Sequence, residues 1–187
     1  MNWLRSFRSW RTRYRSKPPH ERVVYRLIHR HRCRRLVELG LGTAERAARM
    51  ISVANHRHGY EGVQYTGIDL FEGRDQEADA PLPLKEVHQR LAGTPATVKL
   101  VPGDPLSALA RVANAHAATD LLVVGSPFCR VDLDQAWFYV PRMLHSGSIV
   151  LIERPGEGEE EPAFERLEVG QIEQRAESAR NRRKRAA

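Results

Sequence analysis

Two glycines follow an acid in Glu38-Leu39-Gly40-Leu41-Gly42, and a second acid, Asp69, closes the segment Gly67-Ile68-Asp69. Glycine lets a chain turn with φ unrestricted and lets backbone come close to a ligand. An aspartate can accept two hydrogen bonds from a vicinal diol such as a ribose offers. Two further stretches hold comparable groups, Pro102-Gly103-Asp104-Pro105 and Gly125-Ser126-Pro127-Phe128. Asp132, Asp134 and His145 are the candidates for general-base work, with helix capping as the competing duty of the two aspartates.

Charge around the first loop separates ligand classes. A dinucleotide needs Gly-x-Gly-x-x-Gly, and the third glycine position here holds Glu45, whose carboxylate would repel a pyrophosphate. No Gly-Lys-Ser/Thr follows, which excludes a phosphate-cradling P-loop. With Glu38 on the other side, acids flank the glycines, and that suits an ammonium or sulfonium better than a phosphate.

Strands must carry these residues for them to converge. Apolar runs at 35–39, 63–69, 96–101, 120–124 and 148–153 read as five strands. Between them lie helical patterns over 21–32, from Thr43 as N-cap through Ala54, and over 84–91, 106–117 and 133–145. Apolar strands alternating with helices predict an α/β, doubly wound, mainly parallel sheet, with an edge strand added between Phe164 and Ile172. Ligands bind such sheets at the carboxyl ends of the strands, where strand order reverses. Gly40 and Gly42 follow the first strand, Leu70 and Phe71 the second, Asp104 the third and Gly125 the fourth.

Taken in order, Val37-Glu38-Leu39-Gly40-Leu41-Gly42, Gly67-Ile68-Asp69, Pro102-Gly103-Asp104, Asp120-Leu121-Leu122-Val123-Val124 and Leu144-His145-Ser146-Gly147-Ser148-Ile149-Val150 resemble the motif series of class I S-adenosylmethionine-dependent methyltransferases. The resemblance spans about residues 22 to 153 and implies their Rossmann-like fold, with S-adenosylmethionine as cofactor. It implies that Glu38, Gly40 and Gly42 border the methionine end and that Asp69 binds the ribose hydroxyls. Leu70 or Phe71 would lie against the adenine, Asp104 would face its amino group and Gly125 would stand near the transferring methyl. The chain departs from the family at Ala44, where a third glycine is usual, and at Gly125-Ser126, where metal-dependent O-methyltransferases carry an aspartate. Ser126-Pro127-Phe128 is similar to the Pro-Pro-aromatic loop of amino-group methyltransferases but lacks the second proline. Methyl transfer without a metal to a small-molecule or membrane-associated acceptor is therefore expected.

Structural duties compete with these roles. Gly40 and Gly42 also suit a plain strand-to-helix turn, and Asp69 suits a cap on the next segment. Asp104, followed by Pro105, also suits a helix N-cap. His29, His31 and Cys33 do not share one helical face, so no metal is expected there.

At 187 residues the chain holds one domain with tails. Hydrophobic residues at 41% and charged residues at 28% exclude wholesale disorder. No apolar stretch is long enough to span a membrane, arginines interrupt the N-terminal segment against a secretory signal, and two cysteines call for no oxidising compartment. A cytoplasmic address follows, with peripheral membrane attachment as its variant. Residues 1–35 hold 12 basic side chains against one acid and residues 175–187 hold six against one, so net charge runs +11, −9, +5 along the chain. An acidic partner would meet the ends.

In residues 1–17 Trp3, Leu4, Phe7, Trp10 and Tyr14 recur at helical spacing among five arginines. Such a helix suits an anionic membrane surface, RNA, or packing on the body or on a second copy as a homodimer. Residues 18–174 are expected to form the cofactor-binding domain, and 175–187 a basic, disordered tail. The alternatives to an enzyme are a catalytically inactive module of the same fold and an RNA-binding or RNA-modifying protein working through its basic ends.

Overall fold

Strands that are apolar on both sides need a layer of helices over each face, and the chain builds that arrangement. The computed structural model describes residues 3–59, 62–73, 82–128, 133–156 and 160–186. It runs α1 (Trp3–Arg15), α2 (Arg22–His31), β1 (Arg35–Leu39), α3 (Glu45–His58), β2 (Gln64–Asp69), α4 (Leu84–Ala92), β3 (Thr97–Pro102), α5 (Pro105–Val112), β4 (Thr119–Val124), β5 (Leu144–Arg154), β6 (Ala163–Leu167) and α6 (Val169–Ala186). These strands form one sheet in the order β3-β2-β1-β4-β5-β6. Strands β1 to β5 are parallel and β6 is antiparallel to β5. Five parallel strands plus an edge strand match the expectation, and sequence order reverses between β1 and β4.

Alternation along the strands splits the core into two layers. On one face Leu36, Leu121, Val123, Ile149 and Leu151 pack under Val24, Tyr25 and Ile28 of α2 and Ala47, Met50, Ile51 and Ala54 of α3. On the other, Val37, Leu39, Leu122, Val124 and Val150 meet Ala108 and Leu109 of α5 and Ile172 and Ala179 of α6. Each large side chain buried this way contributes about 1.5–3 kcal/mol. Helix α1 rests on α2 and α3, so the two basic ends of the chain lie on opposite faces of the sheet. At the amino edge the Asp120 carboxylate accepts from the Arg34 and Arg35 amides at 2.7 and 2.8 Å, tying β4 to the start of β1.

Several local expectations are corrected. Helix α3 starts from Ala44 in the left-handed region (φ 58°) and not from a Thr43 side-chain cap. The helix expected over 133–145 is replaced by two short 3-10 turns, Ala136–Phe138 and Val140–Met143, and β5 begins at Leu144. Pro141 explains this, because it lacks an N–H and disfavours helical backbone at the residue before it. The basic run at the C-terminus is not a disordered tail but the second half of α6. Ile172 and Ala179, two turns apart, bury one stripe of that helix, while Arg182 pairs with Asp134 and Arg183 donates to the Tyr139 hydroxyl. Among the described residues no helix is long and apolar enough to cross a membrane.

Candidate functional site at the carboxyl edge of the sheet

Where β1 and β4 part company, the chain leaves β1 through a turn that only permissive backbone can make. Gly40 and Gly42 have φ of 80° and 56°, and Ala44 at 58° pays about 1–2 kcal/mol for the same left-handed conformation. Phe71, two residues beyond β2, is also left-handed at 49°. Two of the three described non-glycine residues with positive φ thus border this edge, and such strain clusters where ligands are held.

Asp69 moors the turn. Its Oδ2 accepts from the Leu41 amide at 2.6 Å and its Oδ1 from the Phe71 amide at 3.4 Å. The Gly40 amide donates to the Ile68 carbonyl at 2.9 Å, and the Gly103 amide to the Asp69 carbonyl at 2.9 Å. Strands β1, β2 and β3 therefore converge on Asp69, which is itself buried. Leu70 is half-buried beside it and Phe71 is buried. Above Gly42 the space is open, and a Cβ placed there would meet nothing within 4 Å.

Beside the turn lies a buried ionic network centred on an arginine, Arg46, that the motif series does not contain. Arg46, in the first turn of α3, donates from Nε to Glu38 Oε1 at 2.6 Å, from Nη1 to Glu153 Oε2 at 2.8 Å and from Nη2 to the Gly40 carbonyl at 3.1 Å. Tyr65 of β2 donates its hydroxyl to Glu38 Oε2. Glu153, at the end of β5, also accepts from the Ser126 amide at 3.0 Å, and His20 Nε2 lies 3.1 Å from its Oε1. Burial pushes the Glu38 carboxyl above its ordinary range against the pull of Arg46, and burial with the neighbouring Glu38 charge pushes the Tyr65 phenol well up. At Glu153 burial acts in the same direction, but Arg46, the Ser126 amide and His20 together outweigh it and hold the carboxyl below its usual value. The signal for Arg46 was present in the sequence. It shares a helical face with Met50 and Val53, and a charge on a buried face needs a buried partner.

This network corrects the charge expected at the loop. Glu38 is answered by Arg46, and Glu45 by Arg49 at 2.7 Å, so neither acid supplies an uncompensated charge for a cationic ligand. Glu38 is fully buried with both oxygens engaged. Gly125 faces the same arginine, for a Cβ there would lie 2.5 Å from the Gly40 carbonyl and 2.6 Å from Arg46 Nη2. Its lack of a side chain serves the close packing of the β4 end on the β1 turn.

The remaining expected residues divide. Asp104 stands beside Asp69 in the sheet's edge but its carboxylate caps α5, accepting from the Ser107 amide at 2.9 Å and the Ser107 hydroxyl at 2.5 Å, which lowers its pKa. His145 is excluded from the site because it starts β5 at the amino edge, where its Nε2 lies 3.1 Å from Asp120 Oδ1. Asp134 is paired with Arg182 at 2.7 Å. Asp132 lies outside the described residues.

No family model matches the chain and no curated protein matches its sequence. Its fold, however, is similar to solved structures. It superimposes on the CurJ carbon methyltransferase with a TM-score of 0.50 at 16% identity, covering 74% of this chain and 34% of that one. It superimposes on the O-methyltransferase TomG from Streptomyces achromogenes, solved in complex with SAM, with a TM-score of 0.53 at 14% identity, covering 80% and 64% respectively. The chain thus spans about a third of the first neighbour and just under two thirds of the second. Together with the strand order and the glycine turn at the β1–β4 reversal, these likenesses establish that the chain has the Rossmann-like fold of S-adenosylmethionine-dependent methyltransferases.

Proposed function

We propose that the chain binds S-adenosylmethionine across the turn at residues 40–44 and transfers its methyl group to a small-molecule or membrane-associated acceptor without a metal ion. The open space above Gly42, next to the Asp69 carboxylate at the point of strand-order reversal, carries this reading. The residues present fit the nucleoside end of the cofactor. Backbone at Gly40 and Gly42 can approach it closely, and each carboxylate oxygen of Asp69 has capacity for more than one hydrogen bond, so a ribose can be accepted while the Leu41 amide stays bound. Half-buried Leu70 supplies apolar surface for a base, whereas the Phe71 ring is buried in the core and the Asp104 carboxylate caps α5.

When bound, the cofactor supplies a methyl group on a positively charged sulfur, which an acceptor nucleophile displaces as S-adenosylhomocysteine departs. The protein's share is alignment. Arg46 acts as a positioning residue by holding the Gly40 carbonyl while Glu38 and Glu153 fix its guanidinium. Metal-free transfer is supported by Gly125-Ser126 after β4, where the chain carries no carboxylate.

Calorimetric titration with S-adenosylmethionine and S-adenosylhomocysteine tests the proposal. Binding of both is expected, weakened about tenfold or more in Asp69→Ala, which removes a charged acceptor, and abolished in Gly42→Leu, which fills the open space. No heat with either nucleoside would leave the inactive module of the same fold as the answer.

A further inference from the structure

Over residues 9–15 of α1 the exposed side carries the aromatic rings. Of the helix's side chains from residue 9 onward only Ser9 is buried, at 3% exposure, and its hydroxyl finds no hydrogen-bond partner among the described residues. Trp10 and Tyr14 remain 41% and 48% exposed, their rings 5.9 Å apart on successive turns. A helix whose purpose was to close the core would turn its rings inward and its serine outward. The positions 3, 7, 10 and 14 continue this aromatic spacing through the sequence.

Charge surrounds the rings. The helix holds five arginines and no acid. The Arg13 guanidinium stands 5.7 Å from the Tyr14 ring centre and that of Arg15 stands 5.8 Å from the Trp10 ring centre. Arg11 is exposed, as are Arg26 and Arg30 on the neighbouring α2. A surface that joins exposed indole and phenol rings to a dense positive field matches the headgroup layer of an anionic bilayer, which takes rings at the level of the headgroups and cations at its phosphates. Single-stranded RNA offers phosphates to the arginines and bases to the rings, and is the competing ligand; among the described residues the equally basic end of α6, on the opposite face of the sheet, has no exposed rings.

We infer that α1 is a membrane-docking helix that seats the protein on anionic lipid through Trp10, Tyr14 and the arginines around them. From the end of α1 the chain runs on to the candidate site. The Lys17 carbonyl accepts from Arg49 at 2.7 Å, and the chain passes through Pro18 and Pro19 to His20, which contacts Glu153 at the carboxyl edge. This proposal deepens the membrane-associated half of the acceptor reading, yet lipid binding needs no cofactor and is measured without one.

Cosedimentation of the full chain with vesicles of phosphatidylcholine, with and without about 30% phosphatidylserine, is the test. Capture is expected only on the anionic vesicles and should fall as salt rises. Trp10→Ala with Tyr14→Ala should reduce it about tenfold, and Arg11→Glu should reduce it as well. These side chains are exposed, so far-UV circular dichroism and thermal unfolding should match the parent protein. Equal capture on neutral vesicles, capture that survives loss of the two rings, or no capture at all would overturn the inference. So would tighter binding to single-stranded RNA than to the anionic vesicles, lost in Arg11→Glu or in the ring variant. Nucleoside titration on the same preparations reports separately on the cofactor proposal.

Discussion

Arg46 shows how a single side chain can decide what a site is able to attract. Its guanidinium is the counter-charge of Glu38 and Glu153, and both acids lie under the sheet edge with little or no exposure. Removing one partner of a buried pair leaves an uncompensated charge, which costs about 3–5 kcal/mol. Arg46→Met should lose stability of that order in urea unfolding, while replacing Glu38 and Arg46 together with uncharged residues of similar volume should cost much less than the two single changes combined. Additive losses would show that the pair is not coupled. The pH dependence has a defined sign. Glu153 has its pKa depressed in the folded protein, so its contribution is present above about pH 4.3, the unfolded value, and is lost as pH falls through the lower folded value. Glu153→Gln should therefore be less stable than the parent at pH 7 and approach it in stability as the pH drops below about 4. Glu38, raised by burial, carries the opposite sign: its proton-linked share is present at low pH and fades as pH rises through its folded value.

At the scale of elements, the β1 turn and the β4 end were legible because glycine is informative where backbone must do something other residues resist. Gly42 and Gly125 look alike in the sequence, yet the structure separates their duties. A methyl at Gly42 meets open space and carries only the left-handed penalty, about 1–2 kcal/mol. A methyl at Gly125 strikes the Gly40 carbonyl and the Arg46 guanidinium. Gly125→Ala should cost about 3 kcal/mol or more through overpacking and should also disturb the network, whereas Gly42→Ala should stay near the lower figure, as thermal unfolding would show. A reversed ranking would contradict this division. Helix α1 has its own pH response. Burial, then the Arg13 charge, lowers the pKa values of His29 on α2 and His56 on α3, with Arg57 adding to the effect at His29. Both histidines favour the neutral form when α1 is docked, so this share of docking is present above about pH 6.5 and is lost as pH falls through their depressed folded values. Protection of the amides of residues 3–15, taken relative to intrinsic exchange at each pH, should fall on acidification while that of β1 and β4 stays high.

For the molecule as a whole, α6 is the clearest instance of information the linear sequence hid. Its run of arginines and its low hydropathy describe a solvated tail, and only the groove left by the two 3-10 turns after β4 gives Ile172 and Ala179 a place to be buried. Placing a charge in that groove with Ala179→Asp should cost about 2–4 kcal/mol, while Ser178→Asp on the exposed side should change stability by less than about 0.5 kcal/mol. Equal effects would mean that α6 does not close the core. The alternation of apolar strands with helices, the parallel sheet, the strand-end positions of Gly40, Gly42, Asp69 and Gly125, and the basic aromatic character of the first helix were all determined by sequence alone. Each rests on short-range periodicity or on a residue type with a local backbone consequence. Tertiary structure alone decided that Arg46 neutralises Glu38, that His145 sits at the wrong edge, and that the rings of Trp10 and Tyr14 face outward. Those facts depend on which distant segments meet, and a buried charge or an exposed ring is defined only by its neighbours in space.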